Sequence, residues 1–170
     1  LPDGSSGLAA FASTDLAVDE APSGYMFLCQ HKTPDMVWRP ELQAHANGAR
    51  ALAGIVTMAN DTETLARRFA RLFAAGQVRA IPGGHAVETG ADSARILCLT
   101  PAAAAARYDD RAVADTPPRG YAALQIAVAD IDVTRQVLEQ AGVAVQRGPA
   151  GSVWVGPAEA CGTVLEFLPT

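Results

Sequence analysis

Charge and cysteine are both scarce in this chain. Of its 170 residues 18% are charged, and 13 Lys and Arg stand against 18 Asp and Glu, for a formal net charge of −5. A phosphate-backbone partner needs a basic face, so nucleic acid is not expected as a partner. The one local basic cluster, Arg67, Arg68 and Arg71, falls on a helical stretch whose other face is apolar, and it reads as solvated helix surface. The three cysteines, Cys29, Cys98 and Cys161, are odd in number and show no CxxC or Cys/His zinc spacing. All lie in or beside apolar runs, which suits buried free thiols in a reduced, cytoplasmic protein. No run approaches a membrane span and no signal-peptide pattern is visible, so no membrane partner is expected. Nucleophile elbow, phosphate loop and dinucleotide fingerprint are all missing. Gly83-Gly84 is only a hairpin-type turn signal.

What is present is a repeat. Ala51–Asp61 and Tyr121–Asp130 are apolar strands ending in Asp, each followed by an amphipathic helix, over 62–75 and 131–141. Asp61 and Asp130 are expected N-caps, because a carboxylate accepts the orphan N–H groups of a first helical turn. Gly76 and Gly142 are expected to end the helices as left-handed caps. Three short strands follow each helix: Val78–Ile81, His85–Thr89 and Ala94–Leu99, then Val143–Gln146, Ser152–Val155 and Thr163–Leu168. Gly/Pro-rich breaks separate them, and both repeats close on a proline, Pro101 and Pro169. The unit is βαβββ, twice.

Between the units, 102–120 holds a poly-Ala run and Pro117-Pro118, expected as a short helix and then a loop. Ahead of them, Gly7–Ser13 and Tyr25–Gln30 read as strands without a strand-plus-helix opening. They must pair with the rest of the chain, a second chain or a further segment. The chain begins at Leu1 on turn-forming residues, and the expectation is a fragment of something longer. The expected organisation is a partial module and linker over 1–50, a module over 51–101, a linker over 102–120 and a module over 121–170.

This pattern resembles the glyoxalase-like, or vicinal-oxygen-chelate, superfamily. The segment Phe27–Glu41 with His45–Ala49 looks like the link between successive modules in long members. Cys161–Phe167 looks like the family's last strand. The resemblance implies an α+β fold of tandem βαβββ modules forming a curved mixed sheet with helices outside, around a cleft. It also implies a divalent metal held by His, Gln or Glu from the first and last strands of each module. Position by position, the first-strand ligands fall on Gly54 and Ala123, which cannot bind metal. The last-strand ligands fall on Glu166 and, matching Pro101 to Pro169, on Cys98. Strand alternation puts Gln125 on the face of Ala123. No complete metal site results. Glu166 and His31 remain as the residual metal candidates, and a divalent metal is kept as the alternative to no cofactor.

Ligand-binding candidates in the cleft are therefore Glu166, Gln125 and Cys98, with Gln30 and His31 beside them. A carboxylate among Val164, Leu165, Phe167 and Leu168 is costly unless paired. It is either a cleft carboxylate or the partner of an arginine such as Arg95 or Arg147. Gln30 and His31 face a cleft or else anchor the turn at Lys32-Thr33-Pro34. Trp38 is expected to dock a linker, with Arg39 and Glu41 in local salt bridges. His85 and Glu88 face opposite sides of a strand and do not act together. Three functions remain. The first is binding of a small organic ligand in the cleft. The second is a metal-dependent lyase or isomerase completed by a further N-terminal part. The third is a module pair that supports or dimerises and carries no chemistry, its cleft filled by its own side chains such as Trp154 or Met58. A homodimer is the expected assembly.

Overall fold

The computed structural model describes Gly4, residues 6–117 and residues 120–170. Among the described residues there are ten strands and four α-helices, and the linker holds two short helices where one was expected. A two-stranded ribbon comes first, β1 (Phe11–Asp15) and β2 (Phe27–His31). The first βαβββ unit is β3 (Ala49–Met58), α1 (Thr62–Ala70), β4 (Gln77–Ile81), β5 (Gly84–Glu88) and β6 (Arg95–Leu99). Two linker helices follow, α2 (Pro101–Tyr108) and α3 (Asp110–Val113). The second unit is β7 (Tyr121–Val128), α4 (Ile131–Gln140), β8 (Val145–Arg147), β9 (Val153–Val155) and β10 (Val164–Pro169).

The two units build one curved, mixed, eight-stranded sheet in the order β4-β5-β6-β3-β7-β10-β9-β8. In each unit the first and last strands pair in parallel, β3 with β6 and β7 with β10. A parallel pair needs a crossover, and the capped helix supplies it. Asp61 accepts from Thr64 N at 3.0 Å, and Asp130 from Asp132 N and Val133 N at 2.9 and 3.2 Å. The units meet where β3 and β7 run antiparallel, Gly54 opposite Gln125 and Val56 opposite Ala123. This puts the first strands of both units at the centre, beside both last strands.

Alternation along the strands sorts the core into two sides. On one side α1 covers Val87, Ile96 and Cys98 through Ala66 and Phe69, and α4 lies over Val128, Val153, Val155 and Phe167 through Ile131 and Leu138. The other side carries Val56, Ala86, Leu97, Leu99 and Val164. The sequence places all helices outside, but α2 and α3 lie on this inner side, with Ala104, Tyr108 and Val113 buried against the sheet. An alanine-rich helix has almost no side-chain bulk, so its backbone can approach a concave sheet closely. Thr100 caps it, accepting from Ala103 N at 3.2 Å, and Pro101 takes the first turn.

Three local expectations are corrected. First, α1 ends at Ala70, where three-residue turns take over, and Gly76 is not left-handed. A Cβ at Gly76 would lie 2.1 Å from the Ala70 carbonyl oxygen, so glycine is there for close approach. Gly142 does adopt φ +77, as expected. Second, Cys29 and Cys161 are exposed, and only Cys98 is buried. Third, β1 and β2 pair with each other in a sheet of their own, Phe11 opposite His31, and all ten of their residues except His31 are exposed. Among the described residues no helix is long and apolar enough to cross a membrane.

Candidate functional site

Glu166 sits mid-strand on β10 with no exposed surface. Such a carboxylate loses its hydration entirely, so its fate depends on what replaces water. Five donors surround it. From α2, Arg107 grips it with both edges of one fork, Nη2 to Oε1 at 2.7 Å and Nε to Oε2 at 3.1 Å. Tyr108 Oη donates to Oε2 at 2.6 Å. From β7, Gln125 Nε2 donates to Oε2 at 2.7 Å. Ser152, ahead of β9, places Oγ 2.8 Å from Oε1 and 2.8 Å from the Pro149 carbonyl, so its single proton serves one of them at a time. A carboxylate offers about four lone-pair directions, and all are taken.

The electrostatics follow from this shell. Burial pushes the Glu166 carboxyl up. The hydrogen bonds from Arg107, Tyr108 and Gln125, with the Arg107 charge, outweigh burial and hold it below its ordinary 4.5. Burial and the neighbouring Glu166 charge push the Tyr108 phenol well above its ordinary 10.0. Burial alone would lower Arg107, but Glu166 and Tyr108 raise it. Each group is thereby fixed in one protonation state around neutral pH: an anion, a neutral phenol and a cation. Tyr108 also meets the Trp154 ring edge-on at 6.0 Å, and the Arg107 guanidinium lies 5.5 Å over the Tyr108 ring.

The two cleft residues read from β7 and β10, Gln125 and Glu166, are brought together. Cys98 is not. Val56 stands as far ahead of its capping Asp61 as Gln125 stands ahead of Asp130. Val56 pairs with Leu97 as Gln125 pairs with Glu166. The counterpart of Glu166 is Leu97, and aligning the two prolines slips the strand by one residue. In a strand one residue changes the face. Cys98 lies under α1, and burial pushes its thiol up to about 12. Gln30 and His31 are on the separate β1–β2 ribbon. Gln30 Oε1 accepts from Lys32 Nζ. His31 stacks on Trp38 at 5.6 Å and meets Phe11 edge-on at 5.2 Å. Trp38 thus packs on His31 while staying largely exposed, and Arg39 pairs with Glu41 as expected. His85 bonds Thr62 at 2.9 Å, and Glu88 meets Arg79 at 3.4 Å. The arginine on Glu166 is Arg107, and neither Arg95 nor Arg147.

A divalent metal does not fit these residues. Gln125 faces Glu166 from β7 with its Oε1 buried and unpaired, and the other positions on this face of the central strands, Gly54, Val56, Ala123 and Leu97, have no donor side chain. Among the described residues no group of three or more His, Cys, Asp or Glu could hold a metal. Gln125 spends its amide nitrogen on Glu166 and turns Oε1 toward Gly54, where a Cβ would lie 2.5 Å from that oxygen and 3.2 Å from the Arg95 carbonyl. Glycine at this position leaves the room that the Gln125 amide occupies. Gly54→Ala is expected to cost about 1–3 kcal/mol by overpacking, read as a lowered denaturation midpoint. An unchanged midpoint would mean Gln125 is not held there.

No family profile and no curated protein matches the sequence. Solved structures do match it in shape. A methylmalonyl-CoA epimerase from Mycobacterium tuberculosis superposes with a TM-score of 0.56 at 16% identity, over 74% of this chain and 91% of that one. A second methylmalonyl-CoA epimerase gives 0.51 at 14%, over 71% and 95%. A hypothetical protein from Bacillus halodurans gives 0.50 at 16%, over 71% and 94%. The chain has the vicinal-oxygen-chelate fold. At such low identities the likeness reaches only the fold. In this chain the linker covers part of the inner face of the sheet. The residues missed in the sequence, Arg107, Tyr108 and Ser152, all come from the linker or the turn before β9, outside the strands that carry the family pattern. The legible signal was indirect: a carboxylate at Glu166 needs a cation, and the poly-Ala run is followed by Arg107.

Proposed function

We propose that this chain is a metal-independent, non-catalytic pair of glyoxalase-type modules whose cleft has become a structural core. The observation that carries the reading is the five-donor shell of Glu166, in which the Arg107 guanidinium supplies the positive charge that a metal would otherwise bring. Proton transfer is disfavoured on the same grounds. A general acid or base works best with a pKa near the operating pH, and Glu166 and Tyr108 are shifted in opposite directions away from it. The epimerase activity named for two of the structural neighbours is therefore not carried over. Binding of a small organic ligand is the second reading, supported by an open groove at the rim of the packed face beside α2.

Thermal unfolding tests the proposal. The melting temperature is expected to be the same in chelator and in excess Mn²⁺ or Zn²⁺, because a ligand shifts stability only if the folded state binds it. A rise with either metal that disappears in Glu166→Gln would establish a metal site and overturn the reading.

A further inference from the structure

We propose that the groove at the rim of the packed cleft binds a small organic oxyanion, held by Arg147 and the outer edge of Arg107. The groove encloses about 620 Å³ between the β4–β5 turn, α2 and the end of β8. That is enough for a small organic acid or phosphate ester. Its floor is apolar, from Ala103 and Ala106 on α2, with Pro82 and Pro149 on either side. Among the described residues that line it no carboxylate appears, although the whole chain carries −5. The local sign of charge is opposite to the global one.

The two arginines differ in what they offer. Arg107 commits Nη2 to Glu166 and Nε to Glu166 and Tyr108, while Nη1 has no partner among the described residues. Its free donors are thus aimed by the bond on their other side, and little side-chain entropy remains to be lost on binding. Arg147 is exposed, and its guanidinium makes no ion pair or hydrogen bond with any described residue. It provides the uncompensated charge, and Arg107 the fixed geometry. The walls are also held. A Cβ at Gly83 would lie 2.4 Å from Ala103 Cβ, so the β4–β5 turn presses directly onto α2. A planar carboxylate or a phosphoryl group suits a groove lined by two guanidinium groups, and the alanine floor suits a short apolar stem.

The inference rests on the packed cleft in one respect only: Glu166 holds Arg107 in place. It is tested by following backbone amide and arginine side-chain NMR signals while inorganic phosphate or propionate replaces chloride at constant ionic strength. The expected result is saturable shifts of the Gly83 and Gly148 amides and of Arg107 Nε, with half-saturation at roughly millimolar anion. Arg147→Ala is expected to weaken the interaction about tenfold or more at unchanged melting temperature, while Arg67→Ala on α1 leaves it intact. Saturation with propionate assigns a carboxylic acid, and saturation with phosphate alone a phosphate ester. Non-saturating drifts spread over all arginines, or equal affinity in Arg147→Ala, would overturn the site. Stabilisation by metal would sink the metal-free reading and leave these shifts in place, so the two failures are distinguishable.

Discussion

Glu166→Gln is expected to lower the folding free energy by about 3–5 kcal/mol, and Arg107→Ala by a similar amount. Each leaves one half of a buried pair without its partner. Glu166 is fully buried and Arg107 mostly so. Removing the carboxylate strands a guanidinium, and removing the guanidinium leaves an anion with only neutral donors. Replacing both, as in Arg107→Met with Glu166→Leu, is expected to recover much of the loss, because the desolvation of both charges disappears together. Denaturant midpoints of wild type, Arg107→Met, Glu166→Leu and the double variant close the cycle, and additive losses would mean the groups do not act as a pair. The pH dependence gives a second signature. In the wild type the Glu166 carboxyl is held below its ordinary 4.5 in the folded state. Its contribution is therefore present above that value and is lost as the pH falls through the lowered folded pKa. Without Arg107 the buried carboxyl is expected to titrate above its ordinary value. The gap between wild type and Arg107→Ala then narrows in acid.

Tyr108→Ala is expected to cost about 3–5 kcal/mol, the range for deleting a large buried aromatic. Tyr108 has no exposed surface and packs in the inner cluster with Val56, Leu97, Ala123, Trp154 and Val164. Tyr108→Phe separates the ring from the hydroxyl. It keeps the packing and removes one charge-assisted bond to Glu166, for an expected loss of about 1.5–3 kcal/mol. If Tyr108→Ala were as stable as wild type, α2 would be a loose cover on an open cleft. If Tyr108→Phe were neutral, the phenol would be filler only.

The fold was legible because its signals are local and repeated. Asp61 and Asp130 mark the same helix start twice, and the turn residues after each helix divide three strands. The side on which the linker lies was not legible. A helix of alanines has no strong apolar stripe, so nothing in Ala102–Ala106 says which face of the sheet it will cover. Glu166 and Gln125 could be placed together because a strand period and a parallel register are enough to do it. Their partners could not, since Arg107 and Tyr108 reach Glu166 across 59 and 58 residues of chain. Cys98 failed for a different reason. Prolines at strand ends are not register marks, and the pairing of Val56 with Leu97 is a property of the sheet. Gly76 shows a similar limit, because glycine after a helix serves either a left-handed cap or a close backbone approach.

The chain's own linker helix packs on the inner face of the sheet. Amide hydrogen exchange under native conditions tests it most directly, resolved over 101–108 and 164–169. If Tyr108 and Arg107 pin α2 to β10, the interior amides of both segments are expected to exchange only through global unfolding, with matching protection. Fast exchange throughout α2 beside a fully protected β10 would contradict this, and would mean an open cleft with Glu166 free to meet a ligand.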